Sequence, residues 1–286
     1  MTTYLVTGAS GHLGRLAVLA LLERGASPSD VVATARDTGA VSDLAALGVV
    51  TRRADYSDPA SLKEAFVGVD RALLVSSNAV GARLEQHRNV IEAARDAGVE
   101  LLAYTSGTRA DTSPMSLAGE HLATEQLLAG SGVPTVLLRN SWYLENYTEQ
   151  LAPALEHGTV LGAAGDGRVS AATRADYAAA AAAVLLLDDQ AGKVYELGGD
   201  EAISLAEYAA TVSAVTGRSI TYTDLSAEDF ERALVGAGLP EPVAAMLADS
   251  DLGLGRGDLR TDTRELSTLI GRPTTTVEEA VRAALA

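Results

Sequence analysis

The chain has 286 residues, 47% of them hydrophobic, enough to bury one large core or a core with an attached lobe. Lys and Arg number 22 against 38 Asp and Glu, a formal net charge of −16, and no basic run interrupts it, which argues against a nucleic-acid partner. The absence of cysteine excludes disulfides, thiolate metal sites and cysteine nucleophiles, and no metal is expected.

The start, Met1 to Val6, has no basic n-region and meets a glycine loop at once, so it does not read as a signal peptide. The most apolar stretch, Ala178 to Leu187, is about half as long as a membrane span requires. A soluble, cytoplasmic protein without a membrane span is the expectation.

Short β-rich runs occur at Tyr4 to Val6, Val31 to Ala35, Val49 to Arg53, Ala72 to Val75, Leu101 to Thr105 and Thr135 to Leu138. Helical periods fill the gaps at His12 to Arg24, Leu44 to Leu47, Ser61 to Phe66 and Val90 to Ala97. Asp58-Pro59 supplies an N-cap and a first-turn proline, and Gly98 a C-cap. Strands alternating with helices predict an α/β protein, a Rossmann-type doubly wound parallel sheet. Beyond residue 140 the rhythm loosens. Helices are predicted at Tyr143 to Leu155, Ala175 to Leu187, Leu205 to Thr216, Ala227 to Ala237, Val243 to Leu247 and Val277 to Leu285. Strands are predicted at Thr159 to Leu161, Val194 to Leu197 and Ile220 to Tyr222. The expected division is a dinucleotide-binding core over residues 1–140, joined again by segments around 159–200, and a smaller C-terminal α/β lobe for the substrate over 141–286. The alanine run Ala178 to Ala183 reads as a helix packed closely on the sheet.

Gly8-Ala9-Ser10-Gly11-His12-Leu13-Gly14 stands between the first strand and the first helix. There Gly8 turns the chain, Gly11 admits a pyrophosphate to the backbone and Gly14 brings the helix onto the sheet, with the helix N–H groups facing the phosphates. A plain tight turn is the competing reading. The second strand ends at Arg36, where a carboxylate would hold the ribose of NAD; a guanidinium suits a 2'-phosphate, so NADPH is expected, although Asp37 beside it opposes phosphate binding. Asp55 reads equally as a partner of the adenine amino group and as a turn aspartate. Ser76, Ser77 and Asn78 end the fourth strand at the crevice, as cofactor contacts or as plain loop residues.

Further motifs are Ala54-Asp55-Tyr56, Gln86-His87-Arg88-Asn89-Val90-Ile91, Tyr104-Thr105-Ser106, Ala110-Asp111-Thr112-Ser113-Pro114, Leu138-Arg139-Asn140-Ser141-Trp142-Tyr143-Leu144-Glu145-Asn146, Ala163-Ala164-Gly165-Asp166-Gly167, Thr173-Arg174-Ala175-Asp176-Tyr177 and Ile270-Gly271-Arg272-Pro273-Thr274-Thr275-Thr276. With the glycine loop, these make the chain resemble the NmrA-like atypical short-chain dehydrogenase/reductases, and among them the bacterial type-2 NADPH:quinone oxidoreductases. The resemblance implies a dinucleotide site from Gly8, Ala9, Ser10, Gly11, His12 and Leu13, Arg36, Ser76 to Asn78, and Asn140, Ser141, Trp142, Tyr143, Leu144 and Glu145, with the lobe covering the nicotinamide end. Relatives often carry Arg-Asn-Pro-x-Lys after the second strand, whereas this chain has Arg36-Asp37-Thr38-Gly39-Ala40, so one cation for the 2'-phosphate is missing. The Tyr-x-x-x-Lys pair of ordinary carbonyl reductases is replaced by Leu117 and His121, with Glu125 a turn further on. His121 reads either as a proton donor or as a structural histidine.

Reducing a ketone by hydride develops an alkoxide and makes a positioned acid valuable. A quinone gives a phenolate whose acid has a pKa of roughly 10, and water protonates that unaided. Orientation of a flat acceptor against the nicotinamide then suffices, and Trp142, Tyr143 and Tyr147 offer an aromatic wall for it, or else pack the lobe on the sheet. The expected function is an NADPH-dependent oxidoreductase acting on a quinone or similar planar conjugated acceptor; the alternative is a non-catalytic NADP-binding redox sensor that regulates a partner protein.

Overall fold

The computed structural model describes residues 1–79 and 81–286. Its first half alternates β1 (Tyr4–Val6), α1 (His12–Glu23), β2 (Val31–Ala35), α2 (Ser42–Ala46), β3 (Val50–Arg53), α3 (Pro59–Ala65), β4 (Arg71–Leu74), α4 (Arg83–Ala97), β5 (Leu101–Gly107), α5 (Ser116–Ser131) and β6 (Thr135–Asn140). The second half follows with α6 (Glu145–Thr148), α7 (Leu151–His157), β7 (Thr159–Gly162), α8 (Arg174–Leu186), β8 (Val194–Leu197), α9 (Leu205–Thr216), β9 (Thr221–Asp224), α10 (Ala227–Gly236), α11 (Glu241–Arg256), α12 (Glu265–Ile270) and α13 (Val277–Ala284).

The main sheet has the order β3-β2-β1-β4-β5-β6-β8, every neighbour parallel. Leu5 lies between Val32 and Ala72 in register, so the strand order reverses at β1 and opens the crevice where such sheets take ligands. Helices α1, α8 and α12 cover one face, and α3, α4 and α5 the other. The doubly wound expectation holds. Local signals explain the helix ends: the Asp58 carboxylate accepts from the Ser61 N–H ahead of Pro59, and Gly98 closes α4 at φ 71°. In α8, Ala178 and Ala180 to Ala183 are buried, and their small side chains let this helix pack against both α1 and the sheet.

Three departures are seen, two of them with a local physical reason. The helix expected over Tyr143 to Leu155 is broken into α6 and α7, because Pro153 has no N–H for the Glu149 carbonyl and its ring excludes that carbonyl; proline fits only the first turn of a new helix. Within the stretch 159–200 expected to return to the core, β8 joins the main sheet, but β7 pairs with β9 in a separate two-stranded sheet. Helix α11 runs well beyond Val243 to Leu247, through Gly253 and Gly255. A Cβ on Gly253 would lie 2.2 Å from the Met115 sulfur, so these glycines serve close packing and not helix termination.

Candidate functional site

Because all seven strands of the main sheet run parallel, the segments after β1, β4, β5 and β6 gather at one edge. Gly8 takes φ 61°, and its carbonyl accepts from Gly11 at 2.9 Å. A Cβ on Gly14 would stand 2.4 Å from the Gly8 oxygen, so α1 can approach the loop this closely only with glycine there. No side chain among the described residues caps the start of α1, so its first N–H groups suit an anion. Beneath the loop, the Thr7 hydroxyl meets Leu73, Val75 and the Tyr56 hydroxyl, and Tyr56 donates to the Val75 carbonyl at 2.8 Å. This knot ties β1, β4 and the turn after β3 together; the motif Ala54-Asp55-Tyr56 contained its key residue without revealing the role.

Arg36 is exposed at the end of β2 and makes no hydrogen bond or ion pair with the other described residues. Asp37 turns its carboxylate to its own backbone, accepting from Gly39 at 2.9 Å, so it does not pair with Arg36. Arg15 of α1 reaches the same turn through the Ala40 carbonyl at 2.6 Å and pairs with Asp43. Asp55 accepts from Ser57 at 2.9 Å, the turn contact that its position allows.

The strand-four segment is held by its neighbours. Ser76 donates its N–H to the Thr105 hydroxyl at 2.8 Å, Ser77 donates its own to His87 Nε2 at 2.9 Å, and Arg83 clasps the Ser77 carbonyl at 2.7 Å. Asn78 is exposed at the rim. His87 Nε2 accepts, so the proton sits on Nδ1, which donates to Thr124 at 2.9 Å. Burial, reinforced by Arg83, pushes His87 down to about 3 and keeps it neutral.

On α5, His121 is buried and its Nδ1 lies 2.7 Å from the Tyr104 hydroxyl of β5. Burial first, and then Arg83 and His87, push it down to about 3. Tyr104 itself is fully buried and burial raises its pKa. A phenol therefore does stand beside the helix position that superfamily members give to lysine, contributed by the strand, where helix spacing could not reveal it. Glu125 forms a two-pronged ion pair with Arg139, at 2.9 and 2.7 Å, and accepts from Ser106 at 2.6 Å. Arg139 also meets Glu196 and Asp111, each at 3.0 Å, and these carboxylates hold it charged. Glu125 thus anchors β6 to α5.

After β6 the expected site residues part company. Asn140 is buried, and its side-chain oxygen has no partner among the described residues. The Ser141 hydroxyl is taken by the Leu259 carbonyl at 2.6 Å, and the Glu145 carboxylate accepts from the Arg174 N–H at 2.8 Å, so neither side chain is free. Leu144 is buried. Trp142 and Tyr147 pack in the lobe cluster, whereas Tyr143 packs against Tyr177 at 5.5 Å with Arg174 over its ring. The three rings make no pair with one another; Tyr147 instead faces Tyr208 at 5.4 Å, and neither of those hydroxyls has a partner among the described residues. Nearby Asp251 is buried, accepts from the Ala163 N–H at 2.8 Å and is pushed up to about 6 by burial. No group of side chains suited to a metal ion occurs among the described residues.

Residues 8–187 match a protein-family model described as NAD(P)H-binding. The chain belongs to this family. It is 51% identical over 276 residues to quinone oxidoreductase 2 of Escherichia coli, covering 96% of each chain. A crystal structure of the Escherichia coli NADPH-dependent quinone oxidoreductase complexed with NADPH superposes with a TM-score of 0.96 at 49% identity, over 99% of this chain and 100% of that one. The triphenylmethane reductase of Citrobacter sp. complexed with NADP(H) gives a TM-score of 0.94 at 36% identity, over 99% of this chain and 100% of that one. The uncapped α1, the glycine contacts and the unpartnered Asn140 oxygen fit a dinucleotide along the edge of β1, β4 and β6.

Proposed function

We propose that the protein is an NADPH:quinone oxidoreductase that transfers hydride without a side-chain acid. Its 51% identity to a quinone oxidoreductase supports the reaction class. The observation that carries the mechanism is His121: it stands where carbonyl reductases keep their lysine, yet it is buried, bound to Tyr104 and neutral at physiological pH. When bound, NADPH supplies the hydride. Gly8 to Leu13 receive the pyrophosphate, and Arg36, free of Asp37, takes the 2'-phosphate. Asp55 and Ser76 to Asn78 line the adenosine half and the crevice floor. Asn140 to Glu145 run beside the nicotinamide, with Ser141 and Glu145 acting through backbone position. Trp142, Tyr143 and Tyr147 belong to the acceptor end, each from its own side of the seam. The dinucleotide-binding part is then residues 1–140 with α8 and β8, and the remainder of 141–286 is the acceptor lobe. We assign the cytoplasm as the compartment. Among the described residues, no helix is long and apolar enough to cross a membrane.

The test is NADPH oxidation followed by absorbance against a panel of small quinones and, separately, aliphatic ketones and aldehydes. Quinones should be turned over and simple carbonyls hardly at all. Efficient ketone reduction would remove the acid-free mechanism. Failure of every quinone to oxidise NADPH would leave the sensor reading.

A further inference from the structure

Glu149 follows α6, and one of its carboxylate oxygens bridges two parts of the molecule. It lies 2.5 Å from the Arg174 guanidinium and 4.0 Å from Nδ1 of His12, the first residue of the phosphate-facing helix α1. Arg174 is sunk into the protein: only 15% of its side chain is exposed, beneath it lies the Tyr143 ring at 5.2 Å, and Asn146 holds it at 3.2 Å. The only carboxylate paired with its guanidinium among the described residues is Glu149. His12 and Glu149 are by contrast well exposed, at 75% and 50%, and rotate at little cost.

The mouth of the dinucleotide crevice thus holds an uncapped helix start, an imidazole and a prepositioned guanidinium; of the two carboxylates there, Glu145 is engaged by the Arg174 N–H and the exposed Glu149 stands on the guanidinium. We propose that Glu149 is an internal competitor for the dinucleotide's phosphates. In the free protein it occupies Arg174 and stands across the entrance; the incoming pyrophosphate displaces it and inherits the cationic surroundings. The structure favours competition over simple support because Arg174 is already positioned without Glu149, by the Tyr143 ring, by Asn146 and, at its backbone N–H, by Glu145. The pyrophosphate is common to both nicotinamide cofactors, so Glu149 sets overall affinity and leaves the choice between NADPH and NADH to Arg36.

The inference rests on the dinucleotide site and not on the identity of the acceptor, so binding is measured calorimetrically with no acceptor present. Glu149→Gln keeps an oxygen for Arg174 and removes the charge. It should tighten NADPH, NADH and ADP-ribose alike, by about threefold to tenfold at low salt. The gain should shrink near 1 M salt, where the screening length is about 3 Å. In an Arg174→Gln background the same change should produce no more than a small part of that gain. Unchanged or weaker binding by Glu149→Gln would overturn the proposal, as would a gain confined to NADPH. The melting temperature of each variant without ligand separates loss of fold from change of affinity, and turnover with a quinone is not required for any of these readings.

Discussion

The sheet half and the lobe treat buried polar groups differently. In the sheet half they are matched: Glu125 with Arg139 and Ser106, His87 with Ser77 and Thr124, Thr7 with Tyr56. At the seam and in the lobe, the Asn140 side-chain oxygen and the Tyr147 and Tyr208 hydroxyls find no partner among the described residues. Buried atoms of Arg83, Asp176 and Asp200 also lack a well-angled hydrogen bond, but each has an opposite charge at 2.9, 2.7 and 3.0 Å. An unmatched buried polar group costs about 1–3 kcal/mol, so a fold retains few without use for them. The sheet half is a frame whose buried polar groups satisfy one another, while the seam and the lobe keep polar atoms that the described residues leave unmatched.

The sharpest way to break the frame is at Gly14. A valine there drives its Cβ into the Gly8 carbonyl, which is backbone and cannot rotate away. Gly14→Val should lower stability by about 3 kcal/mol in denaturant titration and abolish measurable dinucleotide binding. Tolerance of valine with normal affinity would mean that the loop is far softer than its geometry implies.

The pH response should separate the two regions, because their buried titratable groups pull in opposite directions. Asp251 in the lobe rises from 3.8 to about 6 on folding, so the folded state holds its proton more tightly and its contribution to stability falls as pH rises from about 4 to 6. His87 and His121 fall from 6.5 to about 3, so their contribution is present above 6.5 and is lost as pH falls toward 3. Asp251→Asn can still accept from Ala163, and it should stabilise the protein at pH 7.5 by about 2 to 3 kcal/mol at most, with little effect at pH 4. Chemical denaturation at both pH values measures it. An equal gain at both would assign the effect to packing.

Cofactor choice is the next largest effect. Arg36→Ala should raise the NADPH dissociation constant by about tenfold to a hundredfold, the loss of one charge-assisted pair, and leave NADH nearly unchanged. If Arg15, which reaches the same turn, carries part of the 2'-phosphate, the loss will sit at the lower end of that range. Equal losses for both cofactors would discard the assignment.

The frame was legible in the sequence because its signals are local. Glycine spacing, the strand ends, Asp58-Pro59 and Gly98 each act within a few residues of themselves. The seam was not, because its partners are distant in sequence. Tyr104 reaches His121 from another element, and Glu149 meets Arg174 and His12 only once α6, α8 and α1 have assembled. Trp142, Tyr143 and Tyr147 are neighbours in sequence but not in packing: Tyr143 lies against the sheet-side cluster, Trp142 and Tyr147 against the lobe cluster. Pro153 was visible throughout, and its preference for a helix's first turn was the signal that would have split α6 from α7.

The smallest expected effect bears most on mechanism. If water protonates the reduced quinone, His121 is a support for Tyr104 and α5 and touches no reacting atom. His121→Ala leaves the buried Tyr104 hydroxyl without its partner, which should cost about 1–3 kcal/mol of stability. Quinone turnover, measured on folded enzyme saturated with NADPH, should nevertheless fall by less than about tenfold, against about 10² to 10⁴ for loss of a true general acid. His121→Asn, whose amide can reach the Tyr104 hydroxyl, should recover part of the stability while turnover stays where it was. The profile of kcat against pH distinguishes the cases further. A neutral histidine pushed down to about 3 contributes no inflection between pH 5 and 8, whereas a working acid would place one there. A large fall in kcat for both variants with NADPH affinity intact, together with loss of such an inflection, would make the Tyr104–His121 pair the proton source and end the acid-free reading.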